Sequence, residues 1–203
     1  MPSPILLKRY LLALLAVLFV QAPMAHSASI GFQPDPVSAD TGDSISLDLV
    51  ISGLGHFASD SLSAFDISVG FDASVLSFTG YSLGDLLGDV GAAEAIDVSA
   101  GAAGGTVSVA EVSLFSALGL DALQPGEFAV ATLNFDVINL AMGAVTELSV
   151  LTGAALADTS GYVIAVTGEE SGLVKSSVPA PATGLLLLAA LFGWLTLKRR
   201  QSV

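Results

Sequence analysis

Ala64-Phe-Asp-Ile-Ser-Val-Gly-Phe-Asp72 alternates without a break, with Phe65, Ile67, Val69 and Phe71 on one parity and Asp66, Ser68 and Gly70 on the other. A side-chain period of two marks a strand with one buried face and one wetted face. The same pattern recurs on both sides. Ile45, Leu47, Leu49 and Ile51 form a stripe upstream, and Ala129, Ala131, Leu133, Phe135 and Val137 form another downstream. Shorter candidates are Ile30–Gln33, Val75–Thr79, Thr106–Leu114, Glu147–Leu151 and Tyr162–Val166. Turn-forming runs separate them, among them Ala39-Asp-Thr-Gly-Asp43, Gln124-Pro-Gly126 and Asp158-Thr-Ser-Gly161. About eight short strands with one apolar face each must bury those faces against one another, which predicts an all-β sandwich or jelly roll. Helical turns are expected only over Ser116–Leu123 and Asp85–Ala95. Gly91–Gly105 reads as a long surface loop, with room for a short strand at Ile96 and Val98.

The ends have a different composition. Lys8 and Arg9 precede Leu11–Val20, an apolar run of ten residues, and small residues follow at Ala25-His-Ser-Ala-Ser29. This is the layout of a secretory signal peptide, and the run is too short to span a bilayer, which takes about 20 residues. Cleavage after Ser27 puts Ala25 at the −3 position and fits the small-x-small rule better than cleavage after Ala28. The division expected is a signal peptide at 1–27, a sandwich at 28–170, a linker with a sorting motif at 171–181, and a transmembrane helix with a basic tail at 182–203.

All 19 acidic residues lie between Asp35 and Glu170, where Lys175 is the nearest basic residue and the only one between the two ends. Such an excess excludes nucleic acid as a partner, because no basic patch exists to neutralise phosphates. There is no cysteine, so neither a disulfide nor thiol chemistry is available.

Val178–Leu197 is twenty residues without a charge, followed by Lys198-Arg199-Arg200. At about 1.5 Å per residue that length just crosses a bilayer, and the cations would hold the end in the cytoplasm. The Val178-Pro179-Ala180-Pro181 entry, the Leu/Ala/Gly helix and the basic end together resemble PEP-CTERM sorting signals of Gram-negative bacteria. That resemblance implies cleavage by an exosortase-type protease; Ala180 stands where the usual pattern has Glu. Two other readings stay open: Pro181-Ala-Thr-Gly184 fits the P-x-T-G part of a sortase signal without its leading Leu, and the segment also serves as a simple anchor. A lipid-anchor signal fits less well, since its tail should not end in three cations.

The order of elements in the middle resembles the cohesin domain. The resemblance is carried by Phe32-x-Pro34, the Thr41-Gly42-Asp43 turn before Ile45–Ile51, and Ala64-Phe65-Asp66-Ile67 running into Val69-Gly70-Phe71-Asp72 with Val75-Leu76 after it. Gly105-Thr-Val107, Phe128–Phe135 and Leu156-x-Asp158-x-x-Gly161 complete it over about residues 30 to 168. It implies a non-catalytic binding module for a dockerin-like protein, structurally similar to certain carbohydrate-binding modules. No partner-contacting residue matches position by position. An extracellular polysaccharide is the second ligand class, although the usual stacking platform is missing: the single Trp, Trp194, lies in the tail, leaving Tyr81 and Tyr162.

Three patterns point toward chemistry. Gly80-Tyr-Ser82-Leu-Gly84 fits the nucleophile elbow G-x-S-x-G, but no His follows Ser82, and His56 lies upstream. Asp85 and Asp89 flank Leu-Leu-Gly, and Asp40 and Asp43 share a turn. Neither pair has the dense oxygen ligands of a calcium loop. No cofactor is expected, with a structural Ca²⁺ at a loop left open; Zn²⁺ lacks ligands. The expectation is therefore an exported, surface-sorted binding module rather than an enzyme, in the cell envelope or extracellular matrix of a Gram-negative bacterium and membrane-anchored at least transiently. The alternative is a structural matrix or biofilm protein without a specific ligand.

Overall fold

The computed structural model describes residues 27–55 and 58–177. The leader upstream of Ser27, His56, and every residue of the sorting motif and basic tail (Val178, Pro179, Ala180, Pro181, Lys198, Arg199, Arg200) lie outside them. Among the described residues no helix is long and apolar enough to cross a membrane.

Among the described residues thirteen strands occur in the order β1 Ser27–Gln33, β2 Val37–Ser38, β3 Ser44–Ser52, β4 Leu62–Gly70, β5 Leu76–Leu83, β6 Ala95–Asp97, β7 Gly101–Ala103, β8 Thr106–Ser113, β9 Glu127–Val137, β10 Val145–Val150, β11 Ala155–Asp158, β12 Val163–Glu169 and β13 Gly172–Lys175. A first sheet runs β5–β9–β3–β1, all antiparallel. A second runs from β6 and β7 through β8 and β4 to β10 and β11. β12 pairs with β1 in parallel and with β11 antiparallel, so it joins the two sheets along one side. β5 on one sheet and β6 and β7 on the other form the edges of the opposite side.

The three strong stripes of the sequence are the three central strands. Leu47, Leu49 and Ile51 of β3, Phe65, Ile67 and Val69 of β4, and Leu133, Phe135 and Val137 of β9 belong to one buried cluster. Phe135 is fully buried and takes Phe71 and Phe78 edge-on, with ring centroids at 5.1 and 5.5 Å. Edge-to-face pairs add to the burial of the rings themselves.

Helix α1, Ala117–Leu123, forms where a helical turn was expected. The Ser116 hydroxyl caps its start by accepting from Gly119 N–H at 3.3 Å, and Leu120 is its buried residue. Gln124, just beyond it, donates to the carbonyls of Leu62 (2.7 Å) and Leu86 (3.2 Å) and accepts from Leu62 N–H. Its amide thus ties the helix end to β4 and to the segment after β5.

Asp85–Ala95 holds turns and no helix. Gly88 adopts φ +124 with the Glu94 carbonyl 2.8 Å from where a Cβ would stand, so the chain doubles back there. Gly91–Gly105 carries two short strands on β8: β6 includes Ile96, where the sequence left room for one, and β7 lies in what was expected to be surface loop. Residues 172–175, expected as linker, form β13, which pairs with β10 and β2. Ser176 and Ser177 are fastened beyond it, because the Asp40 carboxylate accepts from both hydroxyls and from Ser177 N–H.

Candidate functional site

The two sheets turn very different faces outward. On the first, the outward residues of β3, β9 and β5 line up as Ser44–Asp136–Ser77, Ser46–Asn134–Gly80 and Asp48–Thr132–Ser82. The pairs across β3 and β9 are hydrogen-bonded: Ser44 to Asp136 at 2.6 Å, Ser46 to Asn134 at 2.7 Å, and Thr132 to Asp48 at 2.6 Å. Ser29 and Ser52 continue this at 2.7 Å. Polar groups that satisfy one another along a wetted face leave little for a partner to gain.

On the second sheet, one row crosses four strands as Ala157–Ala64–Val112–Ile96. Ile96 is 46% and Val112 39% exposed. Leu114, two residues beyond Val112, is exposed as well. The next row is Ala155–Asp66–Ala110. Ser68 and Ser108 follow, hydrogen-bonded to each other at 2.7 Å. This face is made of small and branched apolar side chains around the Asp66 carboxylate. Ala110 is itself buried and Ala64 and Ala157 are half-buried, so the large apolar side chains left in water are Ile96, Val112 and Leu114; exposed apolar surface of this kind marks interaction sites in stable proteins.

The inner faces of the same strands hold a second feature. Behind the row just described lies Leu156–Phe65–Glu111–Asp97. Glu111 is fully buried, and neither carboxylate oxygen has a hydrogen-bond partner. Burial pushes its carboxyl up from 4.5 to about 7, and the Asp97 charge opposite pushes the same way. Asp97 stands the other way. Burial raises it, but hydrogen bonds from Ser99 and from the Tyr81 hydroxyl outweigh burial and leave it below the usual carboxylate range. The Tyr81 hydroxyl donates to Asp97 Oδ2 at 2.8 Å, spanning the edge from β5 to β6. A cavity of about 430 Å³ opens beside this link, lined by Tyr81, Leu83, Asp85, Asp89, Val90 and Asp97 among others.

The structure places the candidates suggested by the sequence in different surroundings. Ser27 and Ala28, the expected cleavage point, begin β1; Ala28 is fully buried and pairs with Val166. Ser82 lies within β5, on the polar face, and not at a strand-to-helix turn, so the elbow geometry is missing. Asp40 and Asp43 hold their own turn, with Asp40 N–H donating to Asp43 Oδ2 at 2.8 Å. Asp89 does the same for Gly91 N–H at 2.7 Å. Among the described residues no three His, Cys, Asp or Glu side chains converge to hold a metal ion. Glu111 escaped the reading of the sequence, although a signal was present: it shares the inward parity of Val107 and Val109, an acid on an apolar stripe.

No protein-family model matches the sequence, and comparison with curated proteins finds no match either. Solved structures do match. The sixth cohesin of scaffoldin B from Acetivibrio cellulolyticus, solved with a mutant Cel5 dockerin, is 18% identical with a TM-score of 0.58, over 74% of this chain and 99% of that one. The solution structure of CaCohA2 from Clostridium acetobutylicum is 18% identical with a TM-score of 0.58, over 75% and 94%. A non-cellulosomal cohesin from the hyperthermophilic archaeon Archaeoglobus fulgidus is 14% identical with a TM-score of 0.57, over 78% and 96%. The fold of this chain is therefore that of a cohesin domain, spanning nearly the whole of each.

Proposed function

We propose that this chain is an exported, non-catalytic binding module that docks a dockerin-like protein domain on the outer face of β6, β8, β4 and β11. The observation that carries the reading is the apolar row Ala157–Ala64–Val112–Ile96 beside Asp66, opposite a face whose polar groups already satisfy one another. A flat strand surface with exposed Ile and Val toward its β6–β8 edge suits a protein partner that brings its own apolar anchors and a cation for Asp66. A polysaccharide fits less well. Sugar rings stack on exposed aromatics, and the exposed aromatic here, Tyr162, sits in the turn between β11 and β12. The fold is shared with cohesins that were solved with dockerins bound, which supports the same partner class.

Delivery follows from the ends of the sequence. The leader exports the domain, and Val178-Pro179-Ala180-Pro181 with the tail beyond it sorts the domain to the cell envelope or extracellular matrix through an exosortase-type protease. The membrane is thus a partner through the C-terminal helix, at least transiently.

Two experiments test this. Full-length chain in mild detergent is titrated against a panel of purified dockerin domains; saturable binding to at least one supports the reading. Binding to none, together with loss of matrix cohesion on deletion of the gene, would make it a structural matrix protein instead. Mass spectrometry of the mature protein from fractionated cells reads the sorting step. A C-terminus near Pro181 is expected, and an intact Arg199-Arg200 end in the membrane fraction would make the tail a permanent anchor.

A further inference from the structure

Glu111 is a strange residue to find where it is. Its neighbour on β4 in the inward row is Phe65, with Leu156 beyond it, its side chain is sealed from water, and its two oxygens meet no donor. An ionised carboxylate in that position has neither hydration nor a counter-ion, and such groups persist by taking up a proton. The residue directly opposite on β6 is another acid, Asp97, and like charges placed opposite on antiparallel strands repel.

The surroundings offer no cation. On β4 the facing residue is Phe65, and the neighbouring Asp66 points to the outer face. From β5 comes Tyr81, spent on Asp97. The segment after β5 brings Asp85 and Asp89 to the cavity, with Glu94 held to Asp89 N–H at 3.2 Å, and Asp121 on α1 is exposed. Lys175 of β13, the one Lys or Arg among the described residues, pairs with Val145 of β10. β6 itself is three residues long and pairs with β8 alone. Short edge strands sit at the low end of local stability.

We propose that Tyr81, Asp97 and Glu111 form a proton-operated latch on β6: protonated Glu111 lets Asp97 lie against β8 under the Tyr81 hydroxyl, and loss of that proton expels Asp97 and lifts β6 from the sheet. A buried anion at Glu111 would then face the exposed anion of Asp97, and the route to water for the ionised pair is through the β5–β6 edge, where the cavity already opens. The outer side of the same pair of residues matters too. Ile96 and Val112 flank Asp97 and Glu111 in sequence and form the exposed half of the apolar row. Lifting β6 removes Ile96 from that row, so the docking face would be whole in mildly acidic surroundings and incomplete in alkaline ones. This last consequence rests on the docking reading; the latch does not.

Amide hydrogen exchange of the full-length chain in mild detergent, without any partner, tests the latch. Protection factors, with the intrinsic pH dependence of exchange divided out, are followed from pH 5.5 to 8.5. Residues 95–98, including the Val98 amide that donates to the Ala110 carbonyl, are expected to lose at least tenfold in protection across that range, while β9 amides stay protected. Glu111→Gln, which keeps the shape and cannot ionise, is expected to hold β6 protected throughout. Tyr81→Phe should lower its protection even at pH 5.5. Flat protection of β6 in the wild-type chain, or an equal loss in Glu111→Gln, would overturn the proposal. If Glu111→Gln does not fold, a ¹³C carboxyl titration of Glu111 in the wild-type chain decides: a midpoint near neutrality supports the latch, and one near 4.5 refutes it. A failed dockerin screen would leave either result untouched, so the two readings fall separately.

Discussion

The outer faces of the two sheets are built on the same strand geometry and reach opposite ends of a chemical choice. On β3 and β9 each outward Ser, Thr, Asn or Asp is matched by a partner across the ladder. On β4 and β8 the corresponding positions are Ala64, Asp66, Ala110 and Val112, with the polar match confined to Ser68 and Ser108. A face that satisfies its own hydrogen bonds is stable in water and indifferent to partners. A face that leaves Ile and Val in water gains by being covered, at about 25 cal/mol per Å² of apolar area removed from solvent. The difference teaches where to look for a partner in a fold with two similar flat sides.

The largest effect should come from a residue that serves both faces. Phe135→Ala removes the ring that Phe71 and Phe78 pack against and should cost about 3–5 kcal/mol of stability in chemical denaturation, erasing the distinction between the faces by loosening both sheets.

Glu111→Gln comes next and touches only the second sheet. The folded-state value of about 7 exceeds the ordinary 4.5, so the folded chain holds a proton that the unfolded chain releases. Stability is then full below about 4.5, declines as pH rises toward about 7, and is flat above that. The shift corresponds to at most about 3 kcal/mol at pH 8. Urea melts should show Glu111→Gln more stable than wild type at pH 8 by up to that amount and no different at pH 4. On the acid side the sign reverses: Asp40, lowered by the Ser177 and Ser176 hydroxyls, and Asp72, lowered by Ser74, contribute stability above 3.8 that disappears as pH falls through their folded values. Thermal melts should therefore peak on the acidic side of neutrality.

The smallest effect belongs to the polar face. Ser46→Ala breaks one exposed hydrogen bond to Asn134 and should cost about 0.5–1 kcal/mol in the same urea melts. Dockerin affinity, measured by titration calorimetry, should not change.

Much of this was legible in the residues. The strong stripes at 45–51, 65–71 and 129–137 became β3, β4 and β9, because a period-two pattern with aromatic and branched residues on one parity has no other way to bury itself. What escaped were the short strands β2, β7, β11 and β13, while β6 showed only as room for a short strand at Ile96. Two to four residues carry too little alternation to register, and these strands exist because longer neighbours offer them a ladder. The proposed docking face was equally hidden. It assembles Ala157, Ala64, Val112 and Ile96 from four separate segments, and only pairing register brings them into one row. Glu111 was legible in principle, as an acid in the inward phase of Val107 and Val109, but its isolation from any cation is a fact of packing.

The central claim is that the two faces differ in function, and a charge placed on each tests it. Val112→Arg and Ser46→Arg put the same bulk and charge on exposed strand positions of the two sheets, where fold stability should move by no more than about 1 kcal/mol. Each variant is titrated calorimetrically, as full-length chain, against the dockerin that the wild type binds. The account predicts wild-type affinity for Ser46→Arg and at least thirtyfold weaker binding for Val112→Arg. Unchanged binding by Val112→Arg with loss in Ser46→Arg would contradict it, as would a wild-type chain that no dockerin in the panel binds.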